Sequence, residues 1–262
     1  MRRLLLATAS ALLLTGCAST PAAPVVPELP KFGNPAEFIS KVTAAMREKK
    51  TASLSGAISD PDSGFEYSVR PRMLLRHEPG DRLSTRYDDT ATSSNPMIIV
   101  SVPEGTYAKS KGSEEDHPAK PWKRIRVDDD PELKYISLVI KGGVSWLAEP
   151  SRHIDLLAQA KLDSATQDEL NNVKAVKYVF FVYLDKAVTA DIDKATKDWL
   201  KKRIAAGRTF TQHEIWLSAD HLPLRWSTLE LRPNGQPAST DMVYQDWGKP
   251  VEIAAPPAKQ VR

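Results

Sequence analysis

The sequence predicts an α+β fold in which long antiparallel strands carry an apolar face covered by about three amphipathic helices. Three observations predict it. Apolar and polar residues alternate with period two from Phe65 to Tyr87, separate stretches place apolar residues three and four apart, and the C-terminal part reads as a three-stranded meander. Clean alternation over long antiparallel strands means one wet face and one covered face.

The chain opens on a targeting segment. Met1-Arg2-Arg3 is a short positive start, Leu4 to Leu14 is almost wholly apolar, and Leu14-Thr15-Gly16-Cys17 follows. The run falls short of the about 20 residues a membrane-spanning helix needs. Its layout is that of a secretory signal, with small residues at the cut. Leu-Thr-Gly-Cys resembles the bacterial lipobox, which implies cleavage after residue 16 and acylation of Cys17 with chains such as palmitate. The Arg pair does not extend into a twin-arginine motif, so the general secretory route is expected. Two or more acyl chains, at about 0.8 kcal/mol per buried methylene, make a stable anchor. The expected location is the extracytoplasmic face of the cell membrane, tethered through Cys17.

Removing residues 1–16 leaves 246 (262 − 16), of the size of one large or two small domains. A chain with 41% hydrophobic and 26% charged residues is an ordinary globule. The signal takes two arginines and no acids, so 34 basic residues (36 − 2) face 33 acidic ones, and the mature net charge is about +1. That balance gives no reason to expect nucleic acid. Cys17 is the single cysteine, so its acylation leaves no thiol for a disulfide, a metal or a nucleophile.

Residues 17–33, rich in Pro and Ala, read as a semi-rigid tether of about 3.1 Å per residue where polyproline-like. Asn34, Pro35 and Glu37 form a helix start at the N-cap, N1 and N3 positions, and Phe38, Val42, Ala45 and Met46 carry a helix over 35–49. Leu54, Gly56 and Ile58 then alternate with serines up to a turn at 60–64. Phe65, Tyr67, Val69, Met73 and Leu75 fall on one face of the next strand, with Pro71 at an edge position or a bulge. After a turn at 79–81, Leu83, Thr85 and Tyr87 continue the pattern. Met97–Val102 is a short apolar strand, and a polar loop over 110–120 separates Gly105–Lys109 from Pro121–Ile125. Leu133, Ile136, Val139 and Ile140 predict a helix over 131–140, and Ile154, Leu157 and Ala158 predict another over 150–160. The strand 175–185 is apolar on both sides, so it is either covered twice or has an outer face that meets something. A helix over 189–206 ends at Gly207. Strands near 209–217, 222–231 and 239–247 close the chain, the last pair joined at Asn234-Gly235. No linker interrupts the run, so residues 34–256 are expected to be one domain and 257–262 a tail.

Chemistry-bearing motifs are sparse. His77, His117, His153, His213 and His221 lack the i, i+4 spacing of a helical metal site, and His213-Glu214 lacks a zinc protease's second histidine. Each reads as a surface or core histidine. The loop from Asp60 begins like a calcium site, but Phe65 and Pro71 stand where an EF-hand needs glycine and glutamate. Asp128-Asp129-Asp130 suits a helix cap better than a cation site. Gly143-Val144-Ser145-Trp146-Leu147 and Ala108-Lys109-Ser110-Lys111-Gly112 each match half of a nucleophile elbow outside any strand-to-helix context that would support it. No catalytic set, metal or cofactor is expected, and the chain does not read as an enzyme.

His213–Leu217, Leu222–Arg225 and Tyr244–Val251, with Tyr107-Ala108-Lys109, Lys120-Pro121-Trp122, Pro150–Leu157 and Tyr178–Ala187, form a pattern that resembles the actinobacterial envelope lipoproteins of the LppX/LprG kind. The resemblance covers most of residues 40–256. It implies a curved antiparallel half-barrel covered on its concave face by helices, similar to the LolA/LolB lipoprotein carriers. It further implies an apolar cavity that holds acyl chains of a lipid or lipidated glycan. The residues on the covered faces are then the candidate lining: Phe38, Val42, Leu54, Ile58, Phe65, Tyr67, Met73, Leu75, Ile136, Ile140, Phe180 and Val182. The alternative is an envelope sensor or interaction module on the same scaffold, with a filled core and an external binding face.

Overall fold

The computed structural model describes residues 28–60, 65–67, 72–79, 82–88, 96–125, 150–192, 194–231 and 233–262. The signal segment, Cys17 and the helix expected at 131–140 lie outside them.

Helix α1 spans Pro35–Lys49 and starts as its sequence demands. The Asn34 side chain accepts a hydrogen bond from the Glu37 N–H at 2.9 Å, Pro35 opens the first turn, and Phe38, Val42 and Met46 form the buried stripe. Lys50, with φ 68°, ends it, and strand β1 (Thr51–Asp60) follows at once.

The strands β2 (Phe65–Tyr67), β3 (Arg72–Glu78), β4 (Arg82–Asp88), β5 (Met97–Val102), β6 (Gly105–Ser110) and β7 (Lys123–Ile125) work outward from β1 to one edge. A 3-10 helix (Pro150–Gln159) precedes β8 (Ala160–Leu170) at the opposite edge. From there β9 (Val173–Tyr183), β10 (Phe210–Leu217), β11 (Pro223–Leu231) and β12 (Pro237–Gln245) return to the centre. All twelve belong to one open antiparallel sheet of order β7-β6-β5-β4-β3-β1-β12-β11-β10-β9-β8, with β2 paired to the far end of β1. This is a curved α+β half-barrel. Its first and last strands pair at the middle, from Ser53 opposite Gln245 to Ser59 opposite Ser239. Gly56 permits the closest approach: a Cβ there would overlap the Asp241 carbonyl oxygen and lie 2.7 Å from the Met242 sulfur.

Several elements differ from the sequence-based expectation. The polar stretch 110–120 is not all loop. Lys111–Asp116 forms helix α2, started by a reciprocal capping box between Ser110 and Ser113. Strand β8 carries no strand signal in the sequence, because its lysines, acids and small residues lack apolar alternation. As an edge strand it needs little, and the left-handed Asn171 (φ 52°) and Asn172 (φ 63°) make the tight turn into β9. The helix at 150–160 is of the 3-10 type. Of the helix expected over 189–206, α4 takes Lys194–Ala205, while a separate short helix, α3 (Leu184–Ala187), starts where the strand expected over 175–185 ends.

Both ends of the described chain are tied to sheet edges. The Leu29 N–H donates to the Gln167 side-chain carbonyl on β8 at 3.1 Å, and the Gln167 amide donates back to the Leu29 carbonyl at 2.7 Å. Phe32 is buried and stacks on Tyr178 at 5.8 Å. At the other edge Val261 pairs in parallel with Trp122. Backbone bonds run from Trp122 N to Gln260 O (3.1 Å), Arg124 N to Arg262 O (3.2 Å) and Arg262 N to Trp122 O (2.9 Å). Edges occupied in this way are poor templates for aggregation.

Candidate functional site

The covered face is built from rows of side chains that run across the sheet. One row is Tyr178, Ile215, Trp226 and Met242 on β9, β10, β11 and β12, with Gly56 of β1 at its end. The next runs through Tyr244, Leu54, Met73, Tyr87, Ile99 and Ala108 to Lys123, and a third through Ala52, Leu75, Thr85, Ser101 and Thr106 to Ile125. This face therefore continues from the centre to the β7 edge, apolar in the second row as far as Ala108 and carrying Thr85, Ser101 and Thr106 in the third.

Seven of the twelve candidate lining residues meet in one buried cluster: Phe38, Val42, Leu54, Met73, Leu75, Phe180 and Val182. Helix α1 and the 3-10 helix lie over this half, the latter against β8, β9 and β11. Their packing is aromatic and close. The Phe38 ring meets Phe180 edge-on at 4.8 Å and Tyr178 at 5.0 Å. The Tyr178 hydroxyl accepts from the Phe32 N–H at 3.0 Å, and burial raises its pKa. The register sets Ile58 opposite Thr240 and Tyr67, and Phe65 opposite Asp60. The side chains of Ile58, Phe65 and Tyr67 are not among those described, and Ile136 and Ile140 lie outside the described residues.

Tyr87, Ile99, Ala108 and Ile125 on the same face are not among the candidate lining residues. Ile99, Ala108 and Ile125 are buried. The available signal was β5, apolar at both parities. Ile98, Val100 and Val102 go to the opposite face, where they and Tyr107 pack with Ile253, Val251, Trp122 and Val261. The segment 251–261 thus covers the outside of this half, and β5 is covered on both faces.

His213 is a core histidine. It is buried beside Trp226, whose indole N–H donates to Nδ1 at 3.1 Å, while Nε2 lies 3.1 Å from the Thr211 hydroxyl. Because Nδ1 accepts, the ring proton belongs on Nε2. Burial lowers its pKa to about 4. Outside the β9–β12 half the residues are charged and wet. Trp216 lies between Lys177 (4.8 Å) and Arg225 (4.9 Å), and Arg225 grips Asp241 with two bonds of 2.7 and 2.8 Å. The Trp216 N–H, 2.8 Å from Asp168, leads the causes that lower that carboxyl's pKa. Ser110, centre of one half-elbow, is the cap of α2. Among the described residues no three His, Cys, Asp or Glu side chains could hold a metal ion, and no helix is long and apolar enough to cross a membrane.

No protein-family model matches the chain, and no curated protein matches it. The fold resembles that of mycobacterial lipoproteins. Lipoprotein LppX of Mycobacterium tuberculosis aligns over 84% of this chain and 98% of its own, at 12% identity and a TM-score of 0.49. LprF from Mycobacterium bovis aligns over 85% of this chain and 96% of its own, at 11% identity and a TM-score of 0.47. MucB, solved in complex with MucA(peri), aligns over 86% of this chain and 59% of its own, at 12% identity and a TM-score of 0.40. At these values the likeness concerns chain path, and it transfers no residue roles.

Proposed function

We propose that this protein is a membrane-anchored lipoprotein whose half-barrel shelters the acyl chains of a lipid or lipidated glycan in the cell envelope. The observation that carries this reading is the extent of the covered face. One apolar row continues from the cluster under α1 and the 3-10 helix, which Tyr87 packs against, through Ile99 and Ala108 toward the β7 edge. On this reading the half of the cluster nearest β3, with Met73 and Leu75, is the floor of the acyl site. Acyl tails need a dry, mostly apolar cavity with few polar groups, and a face of this composition suits them. Acylated Cys17 holds the domain at the extracytoplasmic face of the membrane, and the chemistry is binding without catalysis.

The test is mass spectrometry of organic extracts from the chain purified from residue 18 onward, free of its own acyl anchor. A stoichiometric lipid that survives size exclusion is expected. Clean extracts from several hosts, together with no rise in melting temperature on adding phospholipid, would overturn the reading. That outcome would favour the envelope sensor, for which the mutual packing of Phe38, Tyr178 and Phe180 already speaks in its own half.

A further inference from the structure

At the end of the sheet where β9 and β11 finish and β10 begins, apolar side chains are exposed on the outer face. The register places Tyr183 opposite Phe210 and Phe181 opposite Gln212, which in turn is opposite Leu229. Phe181 and Phe210 touch edge-on at 5.6 Å. Tyr183 is 38% exposed and Leu231 44%. Solvent gives no reason for aromatic and aliphatic residues to gather at one end of a face whose middle is charged.

Helix α4 brings cations to the same end. Residues 194–208 contain six basic residues and one acid, Asp198. Arg203 and Arg208 are used internally, at 3.6 and 3.1 Å from the buried Glu230, and they tie the last turn of α4 to β11. Gly207 lies against Pro233, where a Cβ would approach the proline ring to 2.6 Å. Lys201 and Lys202 remain exposed, as does Ile204 at 36%. Lys186, on α3, is also exposed and lies over the Tyr183 ring at 5.4 Å. Among the described residues, Asp185 and Asp191 are the exposed acids of the connection between β9 and α4, and the sequence there also carries Asp193.

We infer that this end of the domain, Tyr183, Leu231 and Ile204 with Lys186, Lys201 and Lys202, is a second membrane contact that seats on an anionic lipid surface. A tyrosine, two aliphatic side chains and several lysines on one end are the composition of interfacial elements, which insert apolar groups at headgroup depth while cations meet lipid phosphates. The cations select the occupant, since each lysine near an anionic leaflet strengthens association about fivefold. The contact is independent of the acyl site. It would orient the domain on the membrane.

The experiment is co-sedimentation of the chain from residue 18 onward with two kinds of vesicle, phosphatidylcholine alone and phosphatidylcholine with phosphatidylglycerol. Binding to the mixed vesicles, weakening with salt, is expected. The K201Q/K202Q pair should bind about 25-fold more weakly, and Y183S/L231S should bind at least about tenfold more weakly. Unchanged melting temperatures would show that both variants remain folded. Equal binding to both vesicle types, no binding to either, or full binding by the lysine pair would overturn the inference, as would capture of an acidic protein with vesicles ignored. Lipid extraction does not use these residues, so either proposal can fail alone.

Discussion

The two halves of the sheet use their faces in opposite ways. From β8 to β12 the inner face holds the interlocked rings of Phe38, Tyr178, Phe180 and Trp226, and the outer face is largely a ladder of charges around Trp216. From β3 to β7 the inner face presents Tyr87, Ile99 and Ala108, and the outer face is sealed by the C-terminal segment through Val251, Ile253 and Val261. One half owes its cohesion to what lies inside the curve. The other is also packed from outside, while on its inner face Ile99 and Ala108 are buried and Tyr87 packs against the core cluster. On the proposed reading, an apolar residue on the inner face has a different duty according to its half.

The largest expected effect breaks the comparison directly. Phe180 is fully buried among rings, so Phe180→Ala should cost about 3–5 kcal/mol, read by urea melts. Lipid recovered per folded molecule should not change. Ile99→Ala should cost near the low end of the about 2–5 kcal/mol typical of such truncations and should lower the lipid recovered. If Phe180→Ala empties the protein of lipid and Ile99→Ala leaves it loaded, the assignment of core and site to the two halves is reversed.

A smaller effect sharpens the comparison through pH. His213 is neutral in the folded β8–β12 half, with a pKa near 4 against an ordinary 6.5. A base whose pKa is lowered by folding binds its proton in the unfolded chain first. Stability is therefore full above pH 6.5 and declines as the pH falls to about 4, by roughly 3 kcal/mol in total. Urea melts at pH 7, 5.5 and 4.5 should show that slope, and His213→Gln should flatten it. The carboxyls of Glu78 and Asp168, whose pKa values are lowered, add their losses only at lower pH. An unchanged slope in the variant would mean that the buried imidazole is not the group responsible.

Much of this division was legible in the sequence, and the part that was not has physical causes. The Asn34-Pro35-Glu37 start of α1, the alternation of β3 and β4 and the C-terminal meander are local signals, and each lies within a few residues of its expected place. The double apolar character of the strand at 175–185 was visible too, as was the choice it left between cover and contact. Strand β8 was hidden because an edge strand draws its pairing from β9 and needs no apolar face of its own. The role proposed for Ile99 is hidden in the sequence because it depends on which distant segment covers which side of β5, and Val251, Ile253 and Val261 come from the far end of the chain. Seven candidate residues converge for the simple reason that they are apolar on one face. Periodicity reports burial and does not separate a core from a binding wall.

The smallest expected effect concerns the seal itself. Residues 257–262 read as a tail, yet residues 260–262 contribute three backbone hydrogen bonds to Trp122 and Arg124 and extend the sheet beyond β7. Exposed backbone bonds are each worth little net, so deleting 258–262 should cost about 1–2 kcal/mol. Most of that loss should appear as faster hydrogen exchange in β5, β6 and β7, with β9 to β12 unaffected, because Val261 also closes the outer cluster over Val100 and Tyr107. The deletion also frees the β7 edge, which then presents unpaired N–H and C=O groups to other chains. A rise in concentration-dependent self-association should accompany the change in exchange. Exchange that quickens equally in both halves would mean that the sheet opens as one cooperative unit. In that case the β3–β7 half could not loosen around a ligand while the core stays closed.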